Sequence, residues 1–524
     1  MTFLPIVRRE LTVASRRGAT FRVRGVGALI AVALGGLYLL PKTLGTGVGG
    51  SGDSLLRLLG WLGMLIALLA GPMLTADSLS RERREGTLGF LFLTDLQGYD
   101  IVAGKLAGLA LIPLHGLLAT FPIAALTLCL GGVTAGEFWR TQLVVANTLF
   151  VSLTLGLWVS SGQTDDRRAV GITGGYLLAL CFLPALAGAT LTTWGFPGIE
   201  TKVQAGSPPF LLFRATDLAY QANPQAFWNG FLFQHGLGWV ALIAAGLVAQ
   251  RRWRDATFTP AAEEPSNRGT TSSWGWQHRR RPRFAEGPLA WLSASPTWIH
   301  RGAWWTSVVV ALVSAASVAI LGFGTSRLTA GETAAATLGL GHVLLKCLLA
   351  TQAVYFLQDA CRNGTMEMLL MTPVTDHQLL NGHLAGLRRM ILGPFLVVAG
   401  AQFALGIIGR CLAGGDWPSA VTMVMAGAVP PLFSAMVHAI DLVAVGIHAS
   451  RWALHYDRPT KALLRTVLLV IILPSMMCSA ARLFIDLIVI MNHRPVLNRF
   501  RETVRAWYFP GELGPGFGMP RSGH

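Results

Sequence analysis

Charge is scarce in this 524-residue chain: Asp, Glu, Lys and Arg together make up 13% of it, about half the share of a soluble domain. With 52% hydrophobic residues and a mean hydropathy of +0.51, that scarcity excludes a soluble enzyme or a soluble binding module. Acidic residues are the scarcer sign, 26 against 42 basic, for a net charge of +16. In a membrane chain such an excess sits on cytoplasmic loops, so nucleic-acid binding is not expected. A phosphate-cradling GxxxxGK[ST] is missing, so the chain has no nucleotide site of its own. HExxH, zinc-ligand spacings and a GxSxG elbow are missing too, so no catalytic residue, metal or cofactor is assigned. Cysteine is sparse, and Cys129, Cys181, Cys347, Cys361, Cys411 and Cys478 form no CxxC. Most lie in apolar runs and read as small core residues, not as a disulfide or metal framework. Gly47 to Gly52 matches GxGxxG, but it follows a membrane span and has no βαβ context, so it reads as a flexible loop.

What is abundant is apolar length. Runs of about 20 residues suffice to cross a ~30 Å hydrocarbon core as helix. Spans are expected near 25–41, 55–76, 102–130, 139–161, 169–191 and 231–250, then near 303–325, 335–358, 387–412, 418–447 and 463–491. The fold class is therefore an all-α polytopic membrane protein with about 11 transmembrane helices. The 60 glycines are spread through these runs, where small residues let helices approach closely. Residues 3–20 mix apolar and basic positions at helical spacing and read as an interfacial segment. No cleaved signal is apparent, so the N-terminus is expected in the cytoplasm. Residues 251–302 hold nine arginines and form a basic cytoplasmic linker, whose end at Gly287–Leu292 reads as a second interfacial segment. The organisation is thus 1–250 as a first half, 251–302 as linker, 303–491 as a second half and 492–524 as a polar tail. Loops at 192–230 and 326–334 are expected outside. One feature conflicts with the positive-inside pattern: an eleven-span count places Arg494, Arg499, Arg501 and Arg505 outside. A re-entrant hairpin around Pro474 is the alternative to a straight span over 463–491.

The most specific feature is a repeat. Arg84-Glu-Gly-Thr-Leu-Gly-Phe-Leu-Phe-Leu-Thr94 returns as Arg362-Asn-Gly-Thr-Met-Glu-Met-Leu-Leu-Met-Thr372, and Gly104–Leu109 returns as Gly382–Leu387. Gly86 and Gly364, Thr94 and Thr372, and Gly108 and Gly386 are each 278 positions apart, and 10 of 26 aligned positions are identical. Internal repeats of this kind dictate architecture, so the halves are pseudo-repeats. Each motif is expected to be a short amphipathic helix at the cytoplasmic surface. Gly86 and Gly364 are candidates for positive φ. Thr94-Asp95 is a candidate cap for the next helix.

At these residues the chain resembles the ABC-2-type export permeases, whose pattern runs roughly E-R-x-x-G-T-L-E-x-L-L-x-T-P before a Gly-Lys-Leu helix start. It maps to Glu85 through Lys105 and more loosely to Arg362 through His383. The resemblance implies a permease subunit, two units fused in one chain, that exports a substrate using a separate ABC ATPase, in two copies, carrying ATP and Mg. It implies an integral plasma (inner) membrane location. It also implies that Arg84, Glu85, Gly86, Thr87 and Thr94, with Arg362, Asn363, Gly364, Thr365 and Thr372, form two ATPase-coupling elements. Asp95 stands where the family has Pro, whereas Pro373 keeps it, and Asn363 and His383 replace Glu85 and Lys105, so unequal contacts are expected.

Ionisable residues inside apolar runs are costly and functional by default. His115, Lys346, His438 and Asp441 are candidates for a substrate pathway or gate. His342 lies four residues before Lys346, and the spacings His438–Asp441 and Arg482–Asp486 permit pairing on one helix. Two other functions are consistent with the composition: a secondary transporter using these His, Asp and Lys residues as an ion relay, or a membrane-integral enzyme or assembly scaffold. Neither accounts for the matched motifs.

Overall fold

The computed structural model describes residues 52–84, 97–163, 166–193, 198–258, 288–293, 298–322, 327–413, 420–456, 459–472 and 479–497, with single residues between 12 and 36 and at 474, 502 and 504. All are helix, turn or short connection, and among them seven helices are long and apolar enough to cross a membrane. The chain is an all-α polytopic membrane protein. It divides into two compact units, Met1–Ser266 and Asn267–His524, with the division inside the basic stretch 251–302.

In the first unit the order is α1 (Gly52–Ala70), a π turn (Gly71–Thr75), α2 (Ser78–Arg84), α3 (Gly98–Leu130), α4 (Ala135–Gly162), α5 (Asp166–Thr193), the short α6 (Ile199–Gln204), α7 (Pro208–Arg214) and α8 (Asp217–Ala222), and α9 (Pro224–Phe258). Helix α4 is the unit's core: it is buried along most of its length and packs against α1, α3, α5 and α9. The break between α1 and α2 has a local cause. Pro72 has no N–H, so the carbonyl of Leu68, four residues back, loses its helical donor. Ser152 of α4 donates its hydroxyl to Leu68 O (2.9 Å) and accepts from Gly71 N (2.9 Å). Eight residues on, Ser160 accepts from Leu79 N and Ser80 N at 3.0 and 3.1 Å, where α2 begins. Two serines on one face of α4 thus hold both sides of the break. The approach is close: a Cβ at Gly156 would lie 2.0 Å from Thr75 Oγ1.

The expected 192–230 loop is instead folded, over its described residues 198–222, into α6, α7 and α8. Ser207 donates to Cys181 O (2.6 Å), and Gln234 donates to Ala205 O and Gly206 O at 3.4 and 3.2 Å. Arg140 binds Ala215 O, pairs with Asp217 and lies 4.0 Å over the Tyr220 ring. Polar backbone that would be orphaned in a membrane is satisfied by these contacts.

The second unit comprises α10 (Pro288–Ser293), α11 (Trp298–Gly322), α12 (Arg327–Arg362), α13 (Thr365–Leu370), α14 (Asp376–Ala413), α15 (Ala420–His455), α16 (Pro459–Thr466) with a π continuation (Val467–Ile472), and α17 (Ser479–Leu497). Helices α11, α12, α14 and α15 form a bundle. Residues 327–334, expected in a loop, begin α12. The segment expected at the interface, α10, is docked in the bundle: Leu289 and Ala290 are buried, and Gln352 donates to Ser293 O (3.3 Å).

The 463–491 stretch forms two arms. Arg465 lies 4.0 Å over the Trp452 ring, Arg482 binds Asp441, and Ile490 packs with Ile447 and Leu380. Measured along α15, the chain travels from the level of residue 452 to that of 441 and back to 447. The two described arms, 459–472 and 479–497, thus run in opposite directions along α15, as the re-entrant alternative requires, and α17 heads back toward the end of α15 that carries Trp452 and Tyr456.

Candidate functional site

The second copy of the repeat is fully described. Helix α12 ends at Arg362, with Asn363 N bonded to Asp359 O (2.9 Å) and Gly364 N to Cys361 O (3.4 Å). Gly364 has φ +71° and ψ 0°, a left-handed conformation that costs a side-chain-bearing residue about 1–2 kcal/mol. It ends one helix and starts another, since Met368 N bonds to Gly364 O (3.2 Å). The six-residue α13 buries Met366 and Leu369 and presents Met368 (71% exposed) and Met371 (89%). Arg362, Asn363 and Thr372 are exposed beside them, and Thr365 is half-buried. The next helix opens with a reciprocal cap: Gln378 N donates to Thr375 Oγ1 (3.3 Å) and Thr375 N to Gln378 Oε1 (2.9 Å).

The first copy is seen only at its edges. Glu85, Gly86, Thr87 and Thr94 lie outside the described residues, and Arg84 is placed only as the last residue of α2. The cap expected at Thr94-Asp95 is replaced by Gln97, whose backbone N donates to Asp100 Oδ2 (3.1 Å). Gln97 and Asp100 stand 278 positions before Thr375 and Gln378, so both units open this helix with the same device in different residues. Glu82 pairs with Lys105 at 2.7 Å, a contact that sequence reading missed because Glu82 falls before the motif. The equivalent positions are Ala360 and His383. His383 is fully buried and its ring stacks on Phe356 (centroids 5.4 Å apart). The ion pair of one half is thus an apolar and aromatic contact in the other.

A second constellation lies inside the second unit. Lys346 of α12, His438 and Asp441 of α15, and Arg482 of α17 converge from three helices. Asp441, 0% exposed, pairs with Lys346, 2% exposed, and with Arg482, whose Nε lies 3.0 Å from Oδ1. His438 Nδ1 accepts from Lys346 Nζ (3.1 Å) and Arg482 Nη2 (3.0 Å). The His342 ring stacks on His438 (centroids 4.0 Å apart) and donates from Nε2 to Gln402 Oε1 (3.0 Å); Gln402 in turn donates to Ser434 Oγ (3.1 Å). Arg482 was expected to pair with Asp486 on its own helix; it turns to Asp441 instead because the hairpin brings α17 against α15. Asp486 is fully buried, its oxygens accept no hydrogen bond among the described residues, and it lies within electrostatic range of Lys346 and Arg482. Two cations and two carboxylates therefore balance.

Of the four pathway candidates, the structure brings Lys346, His438 and Asp441 together. His115 is apart, in the first unit, bonded to Leu111 O at 2.7 Å. Gln402 and Ser434 were not anticipated, although each interrupts an apolar run. Neither was the relay in α9, where His235 bonds to Asn147 Oδ1 and accepts from Trp239 Nε1, both at 3.0 Å. At the 278 offset, His342, Lys346 and Gln402 correspond to Met64, Leu68 and Ala124, so the first unit is apolar where the second is ionic.

A body of bundled apolar helices, a short exposed helix at the end of a span and a buried ionic cluster describe a polytopic membrane protein. Residues 28–245 match the family model described as "ABC-2 family transporter protein", and over that stretch the chain is similar to the membrane component of such a transporter. No curated protein matches the chain.

Proposed function

We propose that this chain is two fused ABC-2-type permease units that couple ATP hydrolysis on a separate ABC ATPase, present in two copies, to export across the plasma (inner) membrane, with the N-terminus in the cytoplasm. One observation carries the reading: Gly364 and α13 build a short, exposed, Met-tipped helix at the motif that recurs 278 positions away. Flexible, polarisable methionines suit a surface that docks a partner. ATP and Mg would be bound by the partner; this chain supplies the docking helices and the path. In this reading Lys346, His438 and Asp441 form a joint that holds α12, α15 and α17 together beside the path, and His115 is a candidate for the path in the first half.

The test is ATPase stimulation in liposomes, with membrane insertion checked for each variant. Arg84→Ala with Glu85→Ala is expected to uncouple more than Arg362→Ala with Asn363→Ala, because interfacial charge pairs are worth up to about 1.5–7 kcal/mol when desolvated. Gly364→Val should uncouple strongly and Gly364→Asn weakly, since Asn tolerates the left-handed region. Equal and negligible effects at both motifs would make them plain connectors.

A further inference from the structure

A cavity of about 810 Å³ lies between α14 and α15 in the second unit, within the range of small-molecule sites. Its lining changes character along its length. Gln378 and Asn381 stand at the end near the 363–375 turn, Arg388 follows, and Ile391, Leu392 and Phe395 continue along α14. Ala439, Leu442 and Val443 form the facing wall on α15. Arg388 is the one ionisable residue in the lining, and no carboxylate is among it. Leu392 and Val443 are 47% and 53% exposed, so the cavity opens sideways between the two helices.

The depths fit one kind of molecule. Arg388 comes two residues before the apolar stretch Met390–Ala401, which places its guanidinium at the edge of the hydrocarbon. Phe395 is seven residues further, about 10 Å at 1.5 Å per residue, inside the ~15 Å that half of a ~30 Å core provides. A cation at that level with no acid beside it is costly unless it meets an anion. A phosphate matches a guanidinium with two parallel hydrogen bonds, and basic pockets between membrane helices take anionic headgroups. The amides of Gln378 and Asn381 would supply donors to the headgroup, and the apolar walls would receive an acyl chain. We propose that this groove binds an anionic glycerophospholipid from the leaflet on the side of the 363–375 turn. The phosphate sits on Arg388 and a chain runs between Leu392 and Val443. The site stands whether or not an ATPase docks on the motifs.

The experiment is native mass spectrometry of the purified full chain, without nucleotide or partner, offered phosphatidylglycerol and phosphatidylcholine with the same chains. Wild type should retain the anionic lipid about tenfold over the zwitterionic one. Arg388→Gln should bring the ratio close to one, whereas Arg389→Gln, next to it but outside the lining, should leave it unchanged. Val443→Trp should lower retention of both lipids by filling the groove; Leu392→Trp replaces it if that variant does not fold. Glycerol phosphate, the headgroup without chains, should not compete. A wild type without preference, a preference that survives Arg388→Gln, unchanged retention in the Trp variants, or full competition by glycerol phosphate would each overturn the proposal.

Discussion

Asp441 ties together three helices of the second unit, α12, α15 and α17. It accepts from Lys346 and Arg482 and lies beside His438 with no exposure to solvent. Removing one member of a buried pair leaves the other uncompensated and costs about 3–5 kcal/mol. Asp441→Asn removes the one carboxylate that contacts both cations and leaves them only the more distant Asp486, whereas Lys346→Met leaves Asp441 in contact with Arg482. Asp441→Asn should therefore lower the thermal midpoint in detergent more than Lys346→Met. The double variant should lose less than the sum of the two single losses, because it removes both members of one pair and coupled sites do not add. Equal shifts, or strict additivity, would mean that the residues do not act as one cluster.

At the scale of the element, α1 and α2 are one span that Pro72 interrupts and Ser152 repairs. Ser152→Ala orphans Leu68 O and Gly71 N, at about 1–3 kcal/mol for a buried unsatisfied group. Pro72→Ala restores an N–H for Leu68 O, so Ser152→Ala should cost clearly less in that background. A thermal-midpoint double-mutant cycle reads this, and the same cost in both backgrounds would refute the staple. The hairpin is tested by single cysteines at Lys461 and Arg499. Both should react with an impermeant thiol reagent from the same side of sealed vesicles, and labelling from opposite sides would replace the hairpin with a straight span. Hydropathy made the spans legible, and the repeat pointed to the turn at Gly364, because both are written in consecutive residues. The capping residues Gln97 and Thr375 were not legible, since they differ in type while filling one role. The hairpin was legible only as an unresolved conflict: apolar length favoured one span, and the arginines after residue 491 favoured a return. Among the site residues, spacing identified His438–Asp441. It could not identify Arg482 as their partner, because that contact joins residues 41 apart on different helices.

For the whole molecule, two motif copies in one chain set an expected composition of one permease chain to two ATPase subunits. The mass of the purified complex decides it, and two permease chains with two ATPases would refute the fused reading. If the 278-residue offset is carried beyond the matched motifs, Met64, Leu68 and Ala124 stand where the second unit has His342, Lys346 and Gln402. That difference has a consequence for biosynthesis. The ribosome makes Lys346 first, Asp441 95 residues later and Arg482 a further 41 residues on. Until the last hairpin emerges, the nascent second half holds its charges in an incomplete set, with Arg482 and Asp486 still to come. Its last two arms, the first of only 8 and 6 helical residues, enter the membrane by joining helices already there. A chain stalled or cut before Arg482 is therefore a partly inserted protein whose buried site has Lys346 and Asp441 but lacks the helix that closes over them, the kind of species that cellular proteases remove.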